Sequence, residues 1–225
     1  DAITWRDASA AKSSAETTER IFARLIADLE SSVFVALPLV QRALGRDAAP
    51  LLASAVWPAI GDTVMKRLLH FFAPGLPNKF HRSFTIAARL VAALEAKCAS
   101  AAELRALRTS PDMVLWRGKW NLDTYHEMRK HEMDGRVKAA GALQGPFKPV
   151  TSPADAEAIK PFSVPQFHAV LQELRTILDP ERVFLFALQH RFLRDACELV
   201  AQLIDAAVAG CSGAAPLDVI EVMRN

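Results

Sequence analysis

Apolar residues recur at three- and four-residue intervals through most of the chain, with charged residues between them, and this period predicts amphipathic helices. Ile21, Phe22, Leu25, Ile26 and Leu29 define a helix over 14–29, with Glu16 and Glu19 in its first turns. Val33 to Val40 is apolar but carries Pro38, and Gly45 follows, so this stretch is a bent continuation or a separate short helix. Val56, Ile60, Val64, Leu68 and Phe72 repeat every fourth residue, with Pro58 expected to start or kink the helix. The run Ala73 to Asn78 reads as a loop that turns the chain into the next stripe, Phe80, Phe84, Ala87, Leu90, Val91 and Leu94. Ser100 with Glu103 is a capping box opening a short helix toward Arg108, and Ser110-Pro111 marks a turn.

The chain is organised around Trp116 to Ala140, where two tryptophans and the only tyrosine sit at the mouth of a charged helix. Asn121 is its expected N-cap, with Asp123 in the first turn and Arg136 and Lys138 near the other end, each favourable to the helix dipole. Leu122, Tyr125, Met128, Met133 and Val137 form a narrow, partly polar stripe, and the opposite face is expected to be charged and solvated, with the helix fraying by Gly141. Five prolines between Gln144 and Pro165 forbid a long helix there and predict a linker. Phe167, Val170, Leu171, Leu174 and Ile177 make one helix beyond it, stopped at Asp179-Pro180, and Leu185, Leu188, Phe192, Leu199 and Leu203 anchor a last long one. Gly210 and Gly213 end that helix, and Pro216 to Met223 would open another. No stretch alternates with period two, so the fold expected is all-α, divided into a helical bundle over 1–143, a Pro-rich linker over 144–165 and C-terminal helices over 166–225 packed on the same assembly. No internal repeat of fixed period supports a regular solenoid.

Composition narrows the picture. About half of the 225 residues are apolar (51%), enough for a sizeable core, and charged residues interrupt every long apolar run, so no membrane span is predicted. The start at Asp1, without Met or a signal-peptide pattern, reads as a fragment of something longer. A net charge of +2 argues against sequence-independent nucleic-acid binding. Three cysteines, Cys98, Cys197 and Cys211, match neither a zinc pattern nor a disulfide framework and fit a reducing, cytosolic compartment.

Candidate chemistry is sparse. His126-Glu127 and His131-Glu132 suggest the zinc motif HExxH, but the histidines are five residues apart and roughly 140° around a helix from one another, so a solvated polar face is the expectation. There is no nucleophile elbow and no glycine-rich phosphate loop, and an enzyme would need a scattered constellation. Trp116 and Trp120 read as plugs between helices, with the alternative that, beside Arg117 and Lys119, they stack on bases or receive a partner's side chain. Arg117, Lys119, Arg129, Lys130, Arg136 and Lys138 are the cations a nucleic-acid-binding alternative would use. No catalytic residue, metal or cofactor is expected.

Lys119, Trp120, Asn121, Leu122, Tyr125 and Arg129 form the string K-W-N-L-x-x-Y-x-x-x-R. Upstream stand VWPAI at Val56–Ile60, including Trp57, and PGLPNKFHRSFTIAARLVAALE at Pro74–Glu95, including Phe80 and His81. Downstream stands VFLFALQHRFLRDACELVAQLI at Val183–Ile204, with His190, Arg191 and Phe192 at its centre. These three blocks in order resemble the C-terminal region of subunit 2 of the conserved oligomeric Golgi complex, over about Val56 to Ile204. Asp123, His126 and Lys130 depart from the resemblance, standing where more apolar or aromatic residues are expected. The resemblance implies an elongated, CATCHR-like helical rod without enzymatic activity, peripheral on the cytosolic face of Golgi membranes and acting in vesicle tethering and retrograde intra-Golgi traffic. It implies the other subunits of the complex as partners, with SNAREs, Rab GTPases and golgins as further candidates and no nucleic acid. The signature residues are expected to be structural, and Trp116, Arg117 and Lys130 to offer an interaction surface.

Overall fold

The computed structural model describes residues 15–44, 50–67, 69–145, 147–160 and 162–211, and among these every regular element is a helix. The all-α expectation is borne out. The expected break at Gly45, the ladder position Leu68, Pro146, Pro161, and the expected helix Pro216 to Met223 lie outside the described residues. The chain divides into two compact units, Asp1–Asn121 and Leu122–Asn225.

In the first unit α1 (Ala15–Asp28) runs through one wide turn, Leu29–Val33, into α2 (Phe34–Leu44). The Phe34 N–H reaches back to the Leu29 carbonyl, a five-residue span, so the segment holding Pro38 is the bent continuation of the two forms expected. A second wide turn, Leu52–Val56, precedes α3 (Trp57–Arg67), and it places Pro58 in the first helical turn, where a missing N–H costs no bond. Leu69–Phe72 is a tight three-ten turn, and α4 (Pro77–Glu95) starts with Pro77 in its first turn and packs on α1.

Capping residues fix the next corner. The Ser100 hydroxyl accepts the Glu103 N–H at 3.1 Å, and the Glu103 carboxylate accepts the Ala99 N–H at 2.8 Å, one residue before the position a standard capping box uses. Ser110 ends α5 (Ala101–Thr109) by donating to the Leu107 carbonyl at 2.9 Å and opens α6 (Pro111–Gly118) by accepting the Met113 N–H at 3.3 Å. One hydroxyl thus serves both helices. Around these helices the core is aromatic: Phe22 stacks on Phe71 at 4.8 Å, and Trp57 meets Trp116 edge-on at 5.2 Å.

The second unit is built on α7 (Leu122–Ala139), α9 (Pro165–Ile177) and α10 (Gln189–Cys211), each of which packs on the other two. Its core joins Met133, Val137, Val170, Ile177, Ala196 and Leu199. Because α7 gives its apolar face to α9 and α10, the compact units divide at 121/122 and not at the expected 143/144. Nor does α7 fray. Gly141 adopts φ +59°, its N–H bonds the Lys138 carbonyl at 3.0 Å, and the Ala142 N–H bonds the Val137 carbonyl at 3.1 Å, which is a Schellman stop with Ala142 buried against the core.

The expected linker folds back on this same unit. It holds the short helix α8 (Pro153–Ala158), and the Val150 N–H bonds the Ser163 carbonyl at 2.9 Å. Phe147 and Val164 are buried with Ala207 of α10. The Phe147 ring lies over Gly210, where an added Cβ would stand only 3.0 Å from it, so a glycine at 210 admits the ring.

Candidate functional site

Two constellations contain the residues singled out by sequence, one in each unit. In the first unit, Trp120 lies against Phe71, Phe72, Phe80 and Phe84 at centroid distances of 5.3, 4.8, 5.5 and 5.1 Å. Trp57, Phe80, His81, Trp116 and Trp120 are all buried, so Trp116 offers no surface of the kind expected of it. Beside them α4 and α6 enclose an apolar groove of about 210 Å³ lined by Phe84, Ala88, Val91, Met113 and Trp116, with Glu95 and Arg117 at its edge. Arg108 grips the Glu95 carboxylate with two bonds of 2.8 and 2.6 Å, and Arg117 stands at 3.9 Å. The Arg108 hydrogen bond holds the Glu95 carboxyl below its usual range against the opposing effect of burial. Lys119 and Asn121 are exposed.

In the second unit, the face of α7 expected to be solvated is in part buried. His126 is fully enclosed, and its Nε2 lies 2.7 Å from Oδ2 of Asp195 on α10, both side chains 2% exposed. The reason is helical arithmetic. Tyr125, His126, Arg129, Met133 and Val137 share the inward face, so polar residues occupy the seam where an apolar stripe would normally stand. His131, the other half of the supposed zinc motif, is exposed, and among the described residues no three His, Cys, Asp or Glu side chains come together as a metal site.

Lys130 reaches the other Asp195 oxygen at 3.3 Å and Glu198 at 3.4 Å. Burial alone would lower its ammonium pKa, but the two carboxylates outweigh burial and hold it above its usual value. Arg191 of α10 pairs with Asp123 of α7 at 2.6 Å. The three residues that departed from the family resemblance, Asp123, His126 and Lys130, therefore all meet charged partners on α10.

Farther along the same face, the Tyr125 hydroxyl donates to the Val183 carbonyl at 2.6 Å and accepts from Arg129 Nε at 3.2 Å. Arg129 also donates to Glu132 at 2.8 Å and to the Arg182 carbonyl at 3.2 Å, so α7 clamps the turn that leads into α10. Phe192 packs edge-on against Tyr125 and His126 at 6.5 and 5.4 Å, Leu122 is half-buried, and His190 is exposed. Of the cations considered for nucleic acid, Arg129 is buried, Lys130 is paired and Arg136 holds Glu173 at 2.9 Å, whereas Arg117, Lys119 and Lys138 are exposed.

Asp195 was missed. It sits three residues after Phe192 and four before Leu199, inside the apolar stripe of α10, and a carboxylate at that position signals a buried partner. The His126–Asp195 pair resembles half of a catalytic dyad, but it is sealed by α7, α10 and Phe192, and His126 Nδ1 has no hydrogen-bond partner, where a nucleophile or its orienting group would stand. These contacts join α7 to α10 across the unit.

Burial pushes the Tyr125 phenol up to about 12, partly offset by Arg129. A pKa raised in the folded state contributes stability that is present below the unfolded value near 10 and lost as pH rises through about 12. Urea unfolding at pH 9 and pH 12 is expected to show about 2 kcal/mol more alkaline loss in the parent chain than in Tyr125→Phe, which has no proton to lose. Equal losses would contradict the burial of this hydroxyl.

The sequence profile described as "COG complex component, COG2, C-terminal" matches residues 118–213. The chain is 32% identical over 151 residues to the human protein "Conserved oligomeric Golgi complex subunit 2", and 26% identical over 151 residues to the Arabidopsis thaliana protein of the same name. Each alignment covers 67% of this chain and only 19% and 20% of those relatives, so the chain spans about a fifth of their length. No solved structure matches.

Proposed function

Because the chain belongs to the family of conserved oligomeric Golgi complex subunit 2, with residues 118–213 as its C-terminal domain, we propose that it is a non-enzymatic docking domain of a Golgi vesicle-tethering complex. The observation that carries this reading is the family match, which spans all of α7, α9 and α10 and so includes the α7–α10 polar seam just described. A tethering domain works by holding helical surfaces in fixed relation. The α7–α10 seam suits that task, since its ion pairs specify how the helices align.

The proposal extends to other subunits of the complex as partners, and to SNAREs, Rab GTPases or golgins as the trafficking factors recruited at the cytosolic Golgi face. No helix among the described residues is long and apolar enough to cross a membrane, which accords with peripheral attachment through partners. In this reading Trp57, Phe80, His81, Trp120, Tyr125, Arg129 and Phe192 hold the scaffold, and exposed groups such as Arg117, Lys119 and His190 belong to the surface that partners meet.

The test is co-purification from cells of the full-length protein and of a version lacking this region. The expected result is that the other subunits stay together while a fusion factor, a GTPase or Golgi association is lost. An unchanged set of partners and unchanged Golgi association would overturn the proposal.

A further inference from the structure

The groove between α4 and α6 has a floor and a rim of different character. Met113, Trp116 and Trp120 are buried along its floor, whereas Ala88 and Ala92 of α4 and Arg117 of α6 are exposed at its edges. Ala88 and Ala92 stand four residues apart on one side of α4, so over a full turn that wall raises only methyl groups. From Phe84 to Glu95 the wall is about 16 Å long, or three turns. At about 210 Å³ the space is smaller than the roughly 300 to 1,000 Å³ of sites for drug-sized ligands, and its scale is that of side chains offered by another protein.

Charge is concentrated at one end. Glu95 and Arg117 are the charged residues lining the groove, and Arg108 takes both Glu95 oxygens at 2.8 and 2.6 Å. The carboxylate is thereby matched without Arg117, which stands 3.9 Å from it, donates one long bond of 3.4 Å to the Arg108 carbonyl and leaves 52% of its side chain exposed. Two guanidinium groups against one carboxylate leave an excess of positive charge at this end. The planar fork of Arg117 suits a second carboxylate, supplied from outside.

On the strength of the docking function above, we propose that the groove receives an amphipathic helix of a partner protein, one apolar side chain of which enters the groove while an aspartate or glutamate one turn away pairs with Arg117. Residues four apart on a helix share a face, so a single helix supplies both groups. The acid sets specificity, because a basic residue in its place would meet Arg108 and Arg117 together. Ala88 and Ala92 let the partner's backbone come close, which is how two helices bury a seam with few large side chains between them.

The test places p-benzoylphenylalanine at Ala92 of the full-length protein in cells, activates it with light and maps what is cross-linked to it. The expected adduct is a segment of another protein with helical apolar spacing and an aspartate or glutamate within one turn of the cross-linked residue. Arg117→Glu should lower its yield about tenfold, and changing that acid to arginine in the partner should restore it. Ala88→Leu, which raises the α4 wall, should also lower the yield about tenfold. Arg89→Glu, an equal change of charge at an exposed position outside the groove lining, should leave it unchanged. Ala88, Arg89, Ala92 and Arg117 are exposed, and far-UV circular dichroism of the purified variants would confirm that each folds. No adduct, a lipid adduct, a cross-link to a second copy of this chain, a partner segment without an acid, or a yield indifferent to Arg117→Glu would overturn the proposal. If deleting the whole region releases a partner that Arg117→Glu and Ala88→Leu both retain, the groove is the wrong surface and the docking function stands; if deletion changes no partner, both fall.

Discussion

Replacing Trp120 with alanine is expected to cost 3 to 5 kcal/mol, roughly the range for truncating a buried aromatic residue in a rigid core. The indole is 6% exposed and bears on four phenylalanines and Trp116, contributed by the Leu69–Phe72 turn, α4 and α6. Those neighbours are themselves large rings that cannot collapse into the vacated space without leaving their rotamers. Edge-on aromatic pairs add about 0.5 to 1.5 kcal/mol each beyond area burial, so the upper end of the range applies. Trp120→Phe keeps part of the ring contact and should lose less than half as much. Equilibrium urea unfolding followed by far-UV circular dichroism would measure both. A loss below about 1 kcal/mol for the alanine variant would place Trp120 at a surface and revive the reading of it as an interaction residue.

Asp195→Ala is the second large effect, expected at about 3 to 5 kcal/mol, because it removes one partner of a buried pair and leaves the other behind. His126 would then have neither ring nitrogen bonded within a sealed site, and Lys130 would keep only Glu198. The more informative variant is the double replacement of His126 and Asp195 by leucine. If the pair serves register and not stability, this apolar seam should recover most of the loss, as is usual when buried ion pairs are exchanged for packed hydrophobic residues. Failure to recover would mean that the pair itself stabilises the unit. Asp195→Asn, which retains an acceptor, should fall between the two.

How far the sequence carried these conclusions differs between the elements. Helices were legible wherever one face was apolar: α4 and α9 follow their stripes, and Ser100 and Ser110 mark corners that the structure places at those residues. The wide turns at Leu29–Val33 and Leu52–Val56 were not legible, since an extra residue in a turn changes no local preference that a period count detects. The inward face of α7 was misjudged because His126 and Arg129 share it with the stripe that holds Tyr125. Each of the two is polar in a sequence count, and each is bonded across the unit in the fold. Buried polarity becomes visible only when the partner is known, and Asp195 lies 69 residues away from His126. The proline count between Gln144 and Pro165 correctly ruled out a long helix, but it carried no information about Phe147 and Val164, two apolar residues that draw the stretch onto α10.

The ring of Phe147 resting on Gly210 gives the proline-rich stretch and the last turns of α10 a common fate. Neither can open to solvent without uncovering the other, so their amide protons should exchange as one cooperative group, distinct from the slower group formed by α7 and the middle of α10. In that sense residues 144–165 are less a tether between parts than a latch. A single bulky side chain at position 210 would unfasten it while the polar seam beneath stayed closed.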